Sequence, residues 1–397
     1  MNILVDGQTL QTPERNRGIG RYLLNTLEAM VKLDKGHRFF VLTTEEPEME
    51  VVPSAIREKA TFLRLDSGGA KKAPMAGLGP EQRFQRSLAD LIGEKKIDLY
   101  WNPNPLMPNV TLPARVSRCA FVATVFDLIP LIFEERYLKR WPGEVRRDYS
   151  RRLMEKLPGY DRLLAISVST KVDFIEYLGL PGDMIEVTHL GVDSVFFQDP
   201  SAGDIKSVRE KFSLKEGFML YTGGFDFRKN LERLVSGFSR FIEMSPDSEL
   251  TLVVVCAFDA ENLDWFNRLV GREGVADRVV LTGYVTEGEL VALYALSGRF
   301  IFPSLYEGFG LPVLEAMASG KPVAASAFSS VPEILGGCGS YFDPYDVEEI
   351  ANAIKALLKR KSDPRLKKTA LERAKGFTWE DTARKTLKTF EDLIEDD

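Results

Sequence analysis

The chain has 397 residues, a net charge of -6 at pH 7 and 44% hydrophobic residues. This length predicts two domains, and the missing basic excess argues against nucleic acid as the main partner. The two histidines, His37 and His189, have no neighbouring ligands, which argues against a zinc site or a serine–histidine hydrolase. Cys119, Cys256 and Cys338 lie far apart and predict reduced core thiols rather than a metal site.

Short apolar runs alternate with helical patterns in the first half of the chain, which indicates a parallel sheet wrapped by helices. The strands are predicted at 3–6, 39–44, 60–65, 98–103, 119–126 and 162–167. Helical spacing covers 21–33 and 80–96. Between these elements, residues 67–80 have the composition of a mobile loop.

The second half repeats the same alternation of strands and helices. Its strands are predicted at 218–223, 250–258, 278–283, 299–304 and 322–326. The simplest fold is therefore α/β, with two facing Rossmann-like doubly wound domains joined near 189–204. Open parallel sheets bind ligands at the carboxyl ends of their strands, so we expect the site in the cleft between the domains.

A glycine-rich turn with two cations follows the first strand of the second half. In the segment GGFDFRKN, Gly223 and Gly224 precede Arg228 and Lys229, which stand just before a helix. Glycines admit a ligand close to the backbone, and a helix N-terminus with adjacent cations favours an anion. This pattern predicts a phosphate site. The alternative is a simple turn beside solvated cations.

The segment SLYEGFGLPVLEAMASGKPV carries two carboxylates around a glycine-rich bend. Pro312 and Gly320 predict a helix over about 312–319. Glu307 and Glu315 would repel a phosphate, but they fit a nucleotide-sugar if each accepts hydrogen bonds from sugar hydroxyls. The alternative is a helix-capping acid and a surface acid.

A basic segment lies in the first half, at residues 136–156. It contains eight Arg or Lys against three acids, with Trp141 and Tyr149 among them. Contact with an anionic membrane surface or with a lipid-linked diphosphate is one interpretation, and a solvated helix face is the other. No run approaches about 18 apolar residues. We therefore expect a cytoplasmic protein that is at most peripheral on the inner face of the cell membrane.

These motifs, in this order, resemble family 4 glycosyltransferases, which are retaining enzymes of the two-domain fold called B. The resemblance covers nearly the whole chain and includes GIGRY (18–22), VFDLIPL (125–131), GGFDFRKN and EGFGLPVLEAMASGKPV. It implies an acceptor-side domain over 1–192, a nucleotide-sugar donor domain over 193–377, and a C-terminal helix over 378–397 that packs back on the first domain.

The resemblance also implies roles for individual residues. Arg228 and Lys229 would neutralise the donor diphosphate, Glu315 would bind the ribose, and Glu307 would hold the transferred sugar. The base would lie near Tyr284 and Val285. The full set of implied donor-binding residues is Gly20, Gly224, Arg228, Lys229, Tyr284, Val285, Glu307, Gly308, Phe309, Gly310, Leu311 and Glu315. The implied catalytic residues are Glu307, Arg228, Lys229 and Asp127.

One position departs from the family pattern. Many relatives carry a histidine where this chain has Phe126, and Asp127 is the best remaining polar candidate there. The resemblance implies a metal-independent, retaining hexosyltransferase with no cofactor. It would move a hexose, with mannose favoured, from a nucleotide diphosphate sugar to a glycan or lipid-linked saccharide in surface polysaccharide synthesis. The alternatives are a catalytically silent nucleotide-sugar binding protein, or an epimerase or phosphorylase on the same fold.

Overall fold

The chain folds into two units. The computed structural model describes residues 1–16, 18–33, 35–46, 48–65, 79–108, 110–359 and 364–395. The N-terminal unit contains Met1–Gly191 together with Trp379–Asp397, and the C-terminal unit contains Val192–Thr378. Most of the predicted mobile loop at 67–80 lies outside the described residues.

The N-terminal unit is built on a seven-stranded parallel sheet in the order β3-β2-β1-β4-β5-β6-β7. Its strands are β1 (Asn2–Asp6), β2 (Arg38–Thr43), β3 (Ala60–Arg64), β4 (Leu99–Asn102), β5 (Ala120–Val125), β6 (Arg162–Ala165) and β7 (Ile185–Val187). All residues of β4 and β5 are buried, because helices cover both faces of the sheet. The helices are α1 (Gly18–Leu33), α2 (Ser54–Lys59), α3 (Pro80–Lys95), α4 (Ile129–Ile132), α5 (Gly143–Arg151) and α6 (Val168–Leu178).

The C-terminal unit is built on a six-stranded parallel sheet in the order β10-β9-β8-β11-β12-β13. Its strands are β8 (Met219–Thr222), β9 (Leu252–Val255), β10 (Val279–Leu281), β11 (Arg299–Phe302), β12 (Val323–Ser326) and β13 (Ser340–Phe342). Its helices are α7 (Ala202–Phe212), α8 (Leu231–Met244), α9 (Ala260–Arg272), α10 (Glu287–Leu296), α11 (Leu311–Ala318), α12 (Val331–Leu335), α13 (Val347–Lys359) and α14 (Pro364–Ala374).

The last helix, α15 (Trp379–Glu395), returns to the N-terminal unit, as predicted. The Trp379 ring lies 6.5 Å from the Tyr22 ring, and the Phe390 ring lies 5.9 Å from the Trp101 ring. The Thr382 hydroxyl donates a hydrogen bond of 2.6 Å to the carbonyl of His189. The apolar face of α15 therefore completes the core of that unit.

In each sheet the strand order reverses around a central strand. In the N-terminal unit β1 lies between β2 and β4, and in the C-terminal unit β8 lies between β9 and β11. Such a switch point opens a crevice at the carboxyl ends of the two strands. The segments that follow β8 and β11 contain GGFDFRKN and the Glu307 bend. The prediction of two Rossmann-like α/β domains is therefore confirmed.

Candidate functional site

The turn after β8 has one glycine that packing requires and one that it does not. A Cβ at Gly223 would lie 2.6 Å from the Tyr221 hydroxyl oxygen, which is too close for any side chain. A Cβ at Gly224 would have no described atom within 4 Å. Packing therefore does not explain the glycine at position 224. Its predicted role at a ligand stays a prediction.

Local hydrogen bonds fix the positions of Arg228 and Lys229. The Asp226 carboxylate accepts from the Arg228 amide at 3.0 Å, which forms the turn. Asn230 follows in the left-handed conformation, with φ of 60°. The side-chain amide of Asn230 donates to the backbone carbonyls of Pro303 and Pro344, at 3.0 and 2.7 Å. The turn is thus held against the segments that follow β11 and β13.

Glu307 lies between the two cations. Its Oε2 is 2.8 Å from Arg228 Nη1, and its Oε1 is 2.6 Å from Lys229 Nζ. Burial alone would raise the pKa of Glu307, but Lys229 and Arg228 outweigh it and hold this pKa below its usual range. For Lys229, burial lowers the pKa, and Glu307 opposes this effect. Glu307, Arg228 and Lys229 form the Glu307 cluster, and Asp226 lies beside it with its Oδ1 3.4 Å from Arg228 Nε.

Two serines hold the bend that begins at Glu307. The Glu307 amide donates to Ser329 Oγ at 2.9 Å, while Ser330 Oγ donates to the carbonyls of Glu307 and Phe309, at 2.9 and 2.7 Å. Gly310 has φ of +108°, a value that side-chain residues rarely adopt. Helix α11 begins at Leu311, one residue before the predicted start, and ends at Ala318.

Glu315 is buried on α11, with only 3% of its surface exposed. The Tyr294 hydroxyl donates to Glu315 Oε2 at 3.1 Å and also contacts the Thr222 hydroxyl at 3.0 Å. The interpretation of Glu315 as a surface acid is therefore wrong. Tyr294 orients this buried carboxylate, and a carboxylate can accept several hydrogen bonds.

The other predicted donor-binding residues lie at the same edge of the sheet or in the N-terminal unit. Tyr284 and Val285 follow β10, and 81% of the Tyr284 surface is exposed. A Cβ at Gly20 would lie 2.1 Å from the Arg15 carbonyl oxygen, so Gly20 allows a close backbone approach within its own unit. Asp127 Oδ1 accepts from the Ile129 amide at 3.0 Å. Asp127 was predicted as a catalytic residue, and its role and the donor-binding roles of the others stay predictions.

Five residues of the site were not predicted from the sequence as ligands or supports: Tyr221, Asn230, Tyr294, Ser329 and Ser330. Asn230 directly after Lys229 is a signal that could have been used, because asparagine tolerates the left-handed conformation. Tyr294 has no such signal, since it lies in an apolar helix and looks like a core residue.

Comparison with known proteins covers both halves of the chain. The glycosyl transferases group 1 family matches residues 204–374, and glycosyltransferase family 4 matches residues 16–196. The chain is 30% identical to the serotype-specific mannosyltransferase WbdA of Escherichia coli, over 100% of this chain and 48% of WbdA. It therefore spans about half the length of that relative.

A second relative is covered more fully. The chain is 30% identical to the O-antigen chain mannosyltransferase B of Escherichia coli, over 71% of this chain and 72% of the relative.

Among solved structures, sucrose-phosphate synthase from Thermosynechococcus elongatus superposes with a TM-score of 0.74 at 20% identity, and each chain is covered to 100%. HepE from Anabaena, solved with UDP and glucose, superposes with a TM-score of 0.72 at 18% identity, and the match covers 98% of this chain and 99% of HepE. These likenesses show glycosyltransferase fold B, and the sequence matches show that the chain belongs to the group 1 and family 4 glycosyltransferases.

Proposed function

We propose that the chain transfers a hexose, with mannose favoured, from a nucleotide diphosphate sugar to a saccharide acceptor, with retention of configuration. The observation that carries this proposal is the Glu307 cluster, which combines two cations with a buried carboxylate at the switch point of the C-terminal sheet. Mannose is favoured because both Escherichia coli relatives are named mannosyltransferases.

Arg228 and Lys229 are proposed to bind the donor diphosphate. When the bond between the sugar and the phosphate breaks, negative charge grows on the leaving phosphate oxygen. Fixed cations in a site shielded from water stabilise such charge more strongly than solvent does. Lys229 is buried and Arg228 is mostly buried, so both cations are already positioned before the reaction.

Glu307 and Glu315 are proposed to bind the two sugars of the donor. Both oxygens of Glu307 contact a cation, and a carboxylate has about four acceptor positions, so it would also accept from a hydroxyl of the transferred hexose. Glu315, oriented by Tyr294, would accept hydrogen bonds from the ribose diol. In this arrangement Glu307 and Glu315 contact sugar hydroxyls and not the diphosphate, so they do not repel it.

Retention is proposed to follow from attack on the face that the diphosphate leaves. The bond from the anomeric carbon to the phosphate oxygen breaks, and the bond to the acceptor oxygen forms on the same face. The acceptor hydroxyl passes its proton to the leaving phosphate, so that atoms and charge balance. We propose that no metal takes part, since the two cations of the Glu307 cluster supply the positive charge.

Contact with an anionic membrane surface is proposed for residues 136–156. Part of their charge is used within the chain, because Arg152 lies 2.6 Å from Asp148 and donates to the Val110 carbonyl at 2.7 Å. The proposal rests on the exposed cations Arg146 and Arg147 of α5 and on Met154, which is 64% exposed. In the described part of the chain, no helix has the length and apolar character needed to span a membrane.

Vesicle sedimentation tests this contact. The chain is expected to sediment with anionic vesicles more than with zwitterionic ones, and the double charge reversal Arg146→Glu with Arg147→Glu is expected to abolish the difference. Equal sedimentation with both vesicle types would contradict the membrane contact and leave the transferase proposal unaffected.

Nucleotide binding tests the donor site directly. We expect GDP, UDP or ADP to raise the unfolding temperature, since a ligand that binds only the folded state stabilises it by about 2.7 kcal/mol at a hundredfold excess over Kd. EDTA should leave the shift unchanged, and Lys229→Ala should abolish it. The absence of a shift with all three nucleotides would contradict the proposed function.

A silent nucleotide-sugar binding protein is the second candidate, and Phe126 favours it. Phe126 lies edge-on to Tyr22, with ring centroids 5.2 Å apart, so it adds an apolar contact where relatives often carry histidine. A nucleotide-induced shift without product formation would support this candidate.

A further inference from the structure

The segment that leads the chain from one unit into the other packs behind the proposed donor site. It forms a short 3₁₀ turn at Ser194–Phe197, just after the start of the C-terminal unit. Ser194 is exposed, but Phe196 has only 2% of its surface exposed. The amide of Phe196 donates to the carbonyl of Asp193 at 3.1 Å, which closes the turn. The turn therefore directs one phenylalanine of the connecting segment into the interior of the unit.

The Phe196 ring contacts Tyr294, the tyrosine that orients Glu315. The two ring centroids lie 5.6 Å apart with the ring planes at 89°, which is an edge-on arrangement that aromatic pairs favour. Phe300 of β11 also lies 5.6 Å from Tyr294, measured between ring centroids. Tyr294 itself is fully buried. Its ring is therefore positioned by two aromatic neighbours, one from the sheet and one from the connecting segment.

The backbone of Phe196 contacts the end of the helix that carries Glu315. Ser319, directly after α11, donates its hydroxyl to the Phe196 carbonyl at 3.2 Å. The amide of Ser319 donates to the Glu315 carbonyl at 2.9 Å. Phe196 thus contacts α10 through its ring and the end of α11 through its carbonyl. The hydrogen bond of 3.1 Å from Tyr294 to Glu315 joins the same two helices, so one residue contacts the supports of both of its partners.

The geometry of this hydrogen bond determines how the Glu315 carboxylate is oriented. A hydrogen bond weakens steeply when its distance and angle depart from the preferred values. In a close-packed interior, a ring keeps its position because its neighbours occupy the space around it. Loss of the Phe196 ring would give Tyr294 space to move, and the hydroxyl of Tyr294 would then hold Glu315 less firmly. The packing of Phe196 is therefore linked to the orientation of the carboxylate.

We propose that Phe196 is a positioning residue for the ribose of the donor. It acts through Tyr294, which keeps the Glu315 carboxylate oriented towards the two hydroxyls of the ribose diol. This inference rests on the proposed function, because it concerns the ribose-binding role of Glu315. It adds a residue of the connecting segment, outside the bends that follow the strands, to those that determine the affinity for the diol.

Calorimetric titration of the full chain tests this role with paired probes. The probes are GDP, UDP and ADP, and the 2′,3′-dideoxy form of each, which lacks the diol. We define the diol factor as the Kd of the dideoxy form divided by the Kd of the ribonucleotide. It is measured with the base that binds wild type most tightly, and the unfolding temperature of each variant is recorded first.

Two variants change the contacts of the connecting segment, and a third is the matched control. Phe196→Leu removes the ring and keeps most of the apolar volume. Ser319→Ala removes only the hydrogen bond to the Phe196 carbonyl and leaves the core side chains unchanged. Phe241→Leu is the control, since Phe241 is a buried phenylalanine of a core cluster whose described members include neither Phe196 nor Tyr294.

We expect a diol factor of about tenfold or more in wild type, because hydrogen bonds to a charged group are strong. Phe196→Leu should lower this factor about threefold or more and leave the Kd of the dideoxy form nearly unchanged. Ser319→Ala should lower it by a smaller amount. Phe241→Leu should lower the unfolding temperature and leave the diol factor unchanged.

A double-mutant cycle tests whether Phe196 acts through Tyr294. Tyr294→Phe removes the hydroxyl and keeps the ring, so it should lower the diol factor by itself. Adding Phe196→Leu to Tyr294→Phe should lower the factor little further, because both changes act on the same hydrogen bond.

Three outcomes would overturn the inference while wild type keeps its diol factor. They are an unchanged factor in both Phe196→Leu and Ser319→Ala, an equal rise in the Kd of both probe forms, and additive effects of Phe196→Leu and Tyr294→Phe. A wild type that binds no nucleotide would instead contradict the proposed function, and one that binds both probe forms equally would contradict the role of Glu315. In either case the inference falls as well, so the two kinds of failure are distinguishable.

Discussion

At the residue scale, the buried charges of the Glu307 cluster depend on one another. Glu307 touches Arg228 and Lys229, and Lys229 also lies 5.4 Å from the Phe302 ring centre. An ionised group in such surroundings is costly unless it is paired. The same arrangement that positions the two cations for a diphosphate therefore also contributes to the stability of the C-terminal unit.

Glu307→Gln should strongly destabilise the C-terminal unit. It removes the carboxylate that contacts both cations, and breaking a buried ion pair in this way costs about 3–5 kcal/mol. Urea unfolding measures the loss. Glu348→Gln is the matched control, because Glu348 pairs with Arg240 at 2.6 Å on the surface, where a pair contributes about 0–1 kcal/mol. Equal losses in both variants would contradict the account of the cluster.

The stability that Glu307 contributes should depend on pH. Although burial acts in the opposite direction, Lys229 and Arg228 hold the pKa of Glu307 below its ordinary value of 4.5. The folded state therefore binds the proton less readily than the unfolded state, and stability rises with pH in this range. The advantage of wild type over Glu307→Gln should be complete above pH 4.5 and shrink as the pH falls through the lower folded pKa.

Unfolding of both proteins at a series of pH values checks this dependence. The comparison with Glu307→Gln cancels the titration of the other carboxylates, which the two proteins share. A difference that stays constant from neutral pH to below the folded pKa would show that Glu307 is not held as a carboxylate.

At the element scale, the packing of α8 on α13 depends on a glycine. A Cβ at Gly237 would lie 2.4 Å from Ile350 Cγ2 and 2.8 Å from Ile350 Cβ, so the two helices approach closely there. Helix propensity alone favours alanine over glycine by about 1 kcal/mol. The steric conflict at Gly237 acts in the opposite direction and is the larger effect. An alanine there should therefore lower the free energy of unfolding.

Gly237→Ala is expected to destabilise the C-terminal unit by about 1–3 kcal/mol, as overpacking does. Gly271→Ala is the matched control in α9, because no described atom lies within 4 Å of a Cβ there. The control should be neutral or stabilising by up to about 1 kcal/mol. Thermal unfolding of both variants gives the comparison, and a stabilised Gly237→Ala would contradict the described packing.

The elements that could be predicted from the sequence are those with long apolar runs or clear end signals. Helix α11 was predicted within one residue at each end because Pro312 and Gly320 mark its limits. Strands β7 and β13 were missed, since Ile185–Val187 and Ser340–Phe342 have three residues each and include a polar one. A strand that is both this short and partly polar gains its structure from its neighbour in the sheet and carries no local pattern, whereas β10, also three residues long, is wholly apolar and was predicted.

The candidate site was predicted as a set of residue types but not as an arrangement. The contacts of Glu307 with Arg228 and Lys229 join residues 79 and 78 positions apart, and no local spacing indicates them. Tyr149 was noted only as an aromatic residue within a basic segment. Its burial against the Trp141 ring depends on the chain path after β5, which the sequence pattern does not reveal.

At the scale of the whole molecule, the two units differ in the charged side chains at their sheet switch points. The C-terminal unit presents Arg228 and Lys229, which suit a diphosphate donor. A cavity of the N-terminal unit at the carboxyl ends of β4 and β5 is lined by Glu14 and Asp127 and, within the described residues, by no Lys or Arg. This difference agrees with an enzyme that binds its anionic donor at the C-terminal sheet.

The most direct test of this account is a transfer assay with GDP-mannose, UDP-glucose and ADP-glucose as donors and an α-linked mannobiose as acceptor. We expect one donor to give a trisaccharide, with nucleotide release that depends on the acceptor and anomeric configuration retained by NMR. Lys229→Ala should lower kcat/KM by about 10²–10³-fold, as loss of transition-state charge stabilisation does, and Glu348→Gln should not. Nucleotide binding without product from any of these donors would contradict the account.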